Sequence, residues 1–368
     1  MNLIPHTLSL IVTHKCTAAC DHCCFSCHPG VSDHVPVPNL HKYIDQAVEV
    51  TSLAVVVFTG GECFLLGSDL DDLVGHAADN GFITRFVSNG YWATTLNIAA
   101  KRLSKLIDKG LAEANFSTGD MHQKYVKPEY VRNGAIAAAD AGLNVNIMVE
   151  NFQNSKFDFE SFIGDSTFSK YLEEERISIR TSPWMGFSGK TEIKQSTQYS
   201  KFVREHTSGI GCSTVLRVIA ITPKEQLMAC CGLTMEDIEE VQLGDLRQFS
   251  IREIIDSQPD DFLKIWIHME GPEAVVNFAR RFDASIELPE SCVHVCDTCR
   301  FMYHDDKIKD VLRKNPHPRK KQLLDAYYRS LYVTKASPKD LVKNYNQKLT
   351  SGGIVTAKRA LALQRTAS

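Results

Sequence analysis

Cys16-Thr17-Ala18-Ala19-Cys20-Asp21-His22-Cys23 places three cysteines within eight residues, spaced C-x3-C-x2-C, close to the N-terminus. Thiolates so spaced can fold back onto one metal centre. A closed zinc site or a fully ligated iron–sulfur cluster takes four protein ligands. Three thiolates on a cubane therefore leave one iron open to a substrate. A zinc site that borrows further ligands from His22, Cys24, Cys27 or His28 is the alternative. The apolar run Leu8-Ser9-Leu10-Ile11-Val12 lies directly upstream, so residues 7–13 are expected to form a buried strand feeding an irregular loop over 14–38.

Outward from this loop the pattern alternates. Asn39 is a plausible N-cap for a helix carrying Leu40, Tyr43, Ile44, Ala47 and Val48 at helical spacing. The β-branched run over 53–58 has the composition of a strand covered on both faces. Helices are expected over 68–80, 94–109, 128–141 and, more weakly, 158–173, with strands over 83–87, 111–118, 143–149 and 175–181. No hairpin signal interrupts the series, so it predicts parallel βα units with right-handed crossovers. Six such units make a partial (β/α)6 barrel. In parallel barrels the chemistry sits at the C-terminal strand ends. Here the polar motifs fall at those ends: 16–23, Gly60-Gly61-Glu62, Ser88-Asn89-Gly90, and 117–122 with Asp120 and His122.

After residue 183 the alternation stops. A hairpin is expected over 212–232, with a turn at Thr222-Pro223-Lys224-Glu225, and short helices near 250–257 and 273–282. Further helices are expected near 305–314, 319–332 and 337–349. The expected organisation is a barrel over 1–200, a small α+β extension over 201–305 and a basic helical region over 306–368. Residues 307–368 hold 15 bases against 3 acids, a balance of +12, and the rest of the chain balances at −15. Such asymmetry can steer an acidic partner, or it can be a solvated helical face.

No apolar run approaches the roughly 18–20 residues of a membrane span, and residues 1–15 lack a signal-peptide layout. A cytoplasmic chain is expected, where disulfides are rare. Its twelve cysteines form an N-terminal cluster and a second between 212 and 299, with Cys63 between them. Clustered cysteines in such a chain point to metal or redox ligands.

The C-x3-C-x2-C loop, the glycine pair after the second strand and their order resemble the radical S-adenosylmethionine (SAM) superfamily. The resemblance implies a 4Fe–4S cluster on Cys16, Cys20 and Cys23 whose open iron binds SAM, yielding a 5′-deoxyadenosyl radical on reduction. It implies that His22 contacts the adenine, Gly60, Gly61 and Glu62 the methionine moiety, and Ser88 and Asn89 its carboxylate or the ribose. Ser117, Met148 and Glu150 fit the same shell, with Asp120 and His122 as substrate or acid–base residues on the rim. Cys212, Cys230, Cys296 and Cys299 resemble the auxiliary 4Fe–4S set of SPASM/twitch extensions, although Lys224-Glu225 stands where that hairpin has a glycine. A zinc ribbon on these cysteines is the alternative, and Cys292 can replace one of them.

SPASM and twitch enzymes most often act on peptides, so the implied substrate is a ribosomally made precursor peptide, epimerised or crosslinked through carbon–carbon or thioether bonds. Cys231 is then a candidate hydrogen-atom donor to a carbon radical, and the 20–27 loop is similar to that of peptide epimerases of this class. A twitch-type dehydrogenase or epimerase of a small alcohol or aminoglycoside is the alternative. The resemblance also implies an external donor of flavodoxin or ferredoxin type. No membrane or nucleic-acid partner is expected, nor a leader-binding domain ahead of the strand at residue 7.

Overall fold

The structure is a computed structural model that describes residues 3–152, 155–164, 166–183, 185, 211–259, 261–289 and 292–333. Its first half is β1 (Thr7–Ile11), α1 (Val37–Val48), β2 (Val55–Thr59), α2 (Ser68–Asp79), β3 (Ile83–Ser88), α3 (Leu96–Asp108) and β4 (Leu111–Thr118), then α4 (Asp120–Gln123), α5 (Pro128–Asp140), β5 (Asn144–Asn151), α6 (Phe159–Ile163), α7 (Ser166–Glu173) and β6 (Ile177–Pro183). These six strands pair in parallel in chain order. The expected α/β barrel architecture is present.

Side-chain alternation separates two faces of the sheet. On β4, Ala114, Phe116 and Thr118 are buried, while Asn115 and Ser117 are half-buried. Phe58, Phe86 and Phe116 fill the layer beneath the helices, and Phe64 stacks on Trp92 with ring centroids 4.3 Å apart. Each fully buried phenylalanine contributes about 1.5–3 kcal/mol, so this layer anchors the strands whose far ends carry the site. The opposite face is more polar. Arg85 pairs with Glu113 at 2.5 Å, and Ser178 donates to Asn146 at 3.1 Å.

The extension continues the same sheet. β7 (Val218–Ile221) pairs in parallel with β1 and in antiparallel with β8 (Gln226–Met228), which pairs with β9 (Gln242–Asp245). Then come α8 (Ile251–Ser257), α9 (Phe262–Glu270), α10 (Pro272–Phe282), α11 (Val295–His304), α12 (Asp306–Lys314) and α13 (Lys320–Val333). The helix expected at 337–349 lies outside the described residues, as does the expected boundary at 200. Among the described residues, no helix is long and apolar enough to cross a membrane.

Two local expectations change. Helix α1 starts at Val37 with Pro36 at the cap position, because proline tolerates a first turn whose N–H groups lack partners anyway. Asn39 therefore does not cap it. Its amide donates to Glu225 at 2.7 Å, and the Tyr43 hydroxyl donates to the same carboxylate oxygen. Glu225 occupies the hairpin turn at φ +59°, the conformation that glycine would adopt freely. Anchoring to α1 offsets the cost of a side chain there.

Candidate functional site

Strand β1 is buried along its whole length and ends in the cysteine loop. The loop is irregular but pinned at both ends. Thr13 and Lys15 bridge to His34 and His28, and Val35 N–H donates to the Val12 carbonyl at 3.0 Å. Ala18 N–H and the Asn89 side-chain amide donate to the Cys16 sulfur at 3.4 and 3.5 Å. Cys27 N–H donates to Cys23 at 3.3 Å. Such bonds suit thiolates that hold an iron–sulfur cluster, whose potential depends on hydrogen bonds to sulfur. Burial pushes the Cys16 thiol up to about 11 and raises Cys20 further, while a hydrogen bond from the Cys27 thiol pulls Cys23 down.

The glycine pair has a sharper role than approach to a ligand. A Cβ at Gly60 would lie 2.4 Å from the Thr13 carbonyl oxygen, and one at Gly61 would lie 2.3 Å from that of Lys15. The space is filled by the chain's own cysteine loop, to which Gly61 and Glu62 N–H groups donate at 2.6 and 3.0 Å. Gly61→Ala is expected to displace Lys15 and Cys16, to destabilise the fold by about 1–3 kcal/mol as overpacking does, and to lower cluster iron at this loop. Iron analysis beside urea unfolding checks this; unchanged iron and unfolding midpoint would show that the loop tolerates the methyl group.

The expectation that the Glu62 carboxylate faces a ligand is not met. Glu62 is fully enclosed, accepting from Phe64 N–H at 3.0 Å, Asn89 N–H at 2.9 Å and the Ser88 hydroxyl at 3.0 Å. Burial, opposed by these bonds, raises it to about 7. Ser88 is likewise used internally, since its oxygen accepts from Gly90 N–H and Trp92 Nε1 at 3.0 Å. Both residues lock the second and third strand ends together. Asn89 carries that lock to the loop, through Cys16 and through Thr17 Oγ1 at 3.1 Å.

On the far side, Ser117 and Met148 are register partners on β4 and β5, both half-buried. Beyond them His122 Nδ1 lies 2.8 Å from Glu150, which also accepts Met121 N–H at 2.8 Å. Hydrogen bonding to His122 and its charge overcome burial and leave the Glu150 carboxyl low. A Cβ at Gly119 would lie 2.0 Å from a Glu150 oxygen, so that glycine makes the arrangement possible. His22 packs edge-on against His122, with ring centroids 4.9 Å apart. Asp120 turns away to accept Lys156 N–H at 2.8 Å, which fastens a loop. The sequence marked His122 and Glu150 separately; their pairing and the role of Gly119 come from the β4–β5 register.

Cys212, Cys230, Cys296 and Cys299 line one apolar pocket, together with Gly232, Ile238, Val241 and Tyr303. A Cβ at Gly232 would lie 3.1 Å from the Cys296 sulfur and 3.7 Å from that of Cys230. Neither Cys231 nor Cys292 is part of that lining. Burial pushes the Cys231 thiol up to about 11, opposed by the charge of Arg85 on β3. Cys24 packs instead against the buried group of Met185, Val293 and Cys296.

Tetrahedral zinc holds thiolates about 3.8 Å apart, from Zn–S bonds of about 2.3 Å. Among the described residues, the group of three ligand atoms lying mutually within 4.8 Å is Cys20, His22 and His122. Neither cysteine set closes that tightly.

No family model matches the chain. In sequence it is similar to YydG of Bacillus subtilis (strain 168), a protein named for peptide biosynthesis. The two are 20% identical over 304 residues, which span 81% of this chain and 92% of YydG. In structure it is similar to Streptococcus suis SuiB bound to S-adenosylmethionine, with a TM-score of 0.53 at 15% identity over 72% of this chain and 68% of SuiB. SuiB bound to precursor peptide SuiA matches with a TM-score of 0.51 at 14% identity, over 70% and 65%. Its fold, its C-x3-C-x2-C loop and the Gly60-Gly61-Glu62 turn on its rim together resemble those of the radical SAM superfamily.

Proposed function

We propose that this chain is a peptide epimerase acting on a ribosomally made precursor. Cys16, Cys20 and Cys23 would hold the cluster that binds SAM, and Cys212, Cys230, Cys296 and Cys299 the auxiliary cluster. When bound, cluster and SAM supply a 5′-deoxyadenosyl radical after one-electron reduction. Loss of the α hydrogen atom of the substrate residue to that radical would leave a carbon radical for this chain's own residues to quench. Cys231 then gives up the hydrogen of its S–H bond, forming a new C–H bond on the opposite face and inverting the carbon. One electron and one proton return the sulfur to thiol, the electron coming from an external flavodoxin- or ferredoxin-type donor.

The observation that carries this reading is the parting of two adjacent cysteines. Cys230 lines the auxiliary pocket, whereas Cys231 lies off that lining, within electrostatic reach both of Cys212 and of Arg85 in the barrel sheet. A thiol beside the ligand set but outside its lining is available as a donor; a crosslinking enzyme needs no such group. The likeness to YydG and to SuiB, seen with a precursor peptide, supports a peptide substrate.

Turnover in deuterated water tests the proposal. The inverted residue is expected to carry one deuterium, delivered from the exchangeable thiol, with no other mass change. A product two hydrogens lighter would assign the chain to crosslinking or oxidation.

A further inference from the structure

Cys20, His22 and His122 form the tight group of ligand atoms noted above, all within 4.8 Å of one another. Its chemistry is that of a mononuclear site, with one sulfur and two imidazole nitrogens. His122 brings a further mark of such a site. Its Nδ1 engages Glu150 at 2.8 Å, which leaves Nε2 to bind. Metal-bound histidines characteristically lean on a carboxylate in this way. The carboxylate itself is fixed by Met121 N–H and by the missing side chain at Gly119.

We propose that, when the chain lacks its first cluster, Cys20, His22 and His122 bind one Zn²⁺, with a fourth position left to water. Zinc is borderline-soft and favours this mixture of sulfur and nitrogen. Because Cys20 serves both groups, zinc bound there shuts out the first cluster. That exclusion rests on the cluster reading proposed above; the zinc site itself does not. His122 stands a hundred residues from the cysteine loop and belongs to neither cysteine set, so it discriminates between the two occupants.

The test uses the full chain carrying Cys16→Ala and Cys23→Ala, which keeps all three zinc ligands and prevents the first cluster. Zinc is titrated anaerobically, and X-ray absorption at the zinc edge reads its neighbours. One zinc per chain with one sulfur and two imidazole nitrogens is expected at this site. Adding His122→Ala, or independently His22→Ala, should remove that zinc or weaken it at least tenfold, and Glu150→Gln should weaken it about tenfold. The readout is the difference of one zinc between background and variant, so it stands whether or not the auxiliary cysteines hold iron. Equal zinc binding with and without His122, or two or more sulfurs about the differing zinc, would overturn the proposal. In the unaltered chain, zinc added before iron should block first-cluster assembly, and His122→Ala should relieve the block. Iron counted before zinc is added reports separately on the auxiliary reading.

Discussion

Replacing Cys16, Cys20 and Cys23 together by alanine is expected to lower bound iron from about eight to about four atoms per chain and to abolish 5′-deoxyadenosine formation. The reason is spatial separation. The three thiols sit in a loop pinned to β1 and to Gly60-Gly61-Glu62, while the other four line a cavity in the extension. Removing one set leaves the second set's four thiols in place. Iron and sulfide analysis with a SAM-cleavage assay checks both halves of the expectation. Retained cleavage would sink the assignment of the open cluster. Four iron atoms falling to none, with zinc present, would make the cysteines of the extension structural.

Cys231→Ala is expected to keep 5′-deoxyadenosine formation and auxiliary iron while losing inversion. The abstracted carbon radical would then be quenched without stereochemical control, or return its hydrogen. Cys231→Ser should behave the same way, because a hydroxyl holds its hydrogen too strongly to donate it as an atom. Cys230→Ala supplies the contrast and should lower iron, since that residue lines the cavity. Chiral amino-acid analysis of the hydrolysed product measures inversion. A merely structural role for Cys231 would depress cleavage and inversion together, and an unchanged inverted yield would remove the residue from the mechanism.

Much of this was legible in the sequence. The parallel strands announced themselves as short, largely apolar runs, and the polar motifs closing the first four fell on one rim. The gathering of Cys212, Cys230, Cys296 and Cys299 about one pocket followed from the resemblance of their pattern to a SPASM/twitch extension, with Cys292 left open as a substitute. Other features were not legible. Helix α9, Phe262–Glu270, carries apolar residues around most of its circumference and so lacks a stripe. Helix α11 begins at Val295 and contains the Cys296–Cys299 pair, where ligand spacing masks helical spacing. β9 is only four residues, with a polar residue at each end. The occupied environments of Glu62 and Ser88 depend on strands 2 and 3 lying side by side, and the Cys20, His22 and His122 group on a contact across the barrel mouth. No local period encodes either.

β1 is hydrogen-bonded on both flanks, by β2 and by β7 from the extension. The extension is therefore not an appendage that can be cut away to leave a self-sufficient barrel. A chain ending before β7 would bare the backbone of a wholly apolar-packed strand along Thr7–Leu10, and an unpaired flat edge of that kind templates association with a second copy. The strand that presents the cysteine loop would become the seed of aggregation. The hairpin bearing Cys230 thus acts as the barrel's solubility guard as well as its neighbour, and the two halves must mature as one polypeptide.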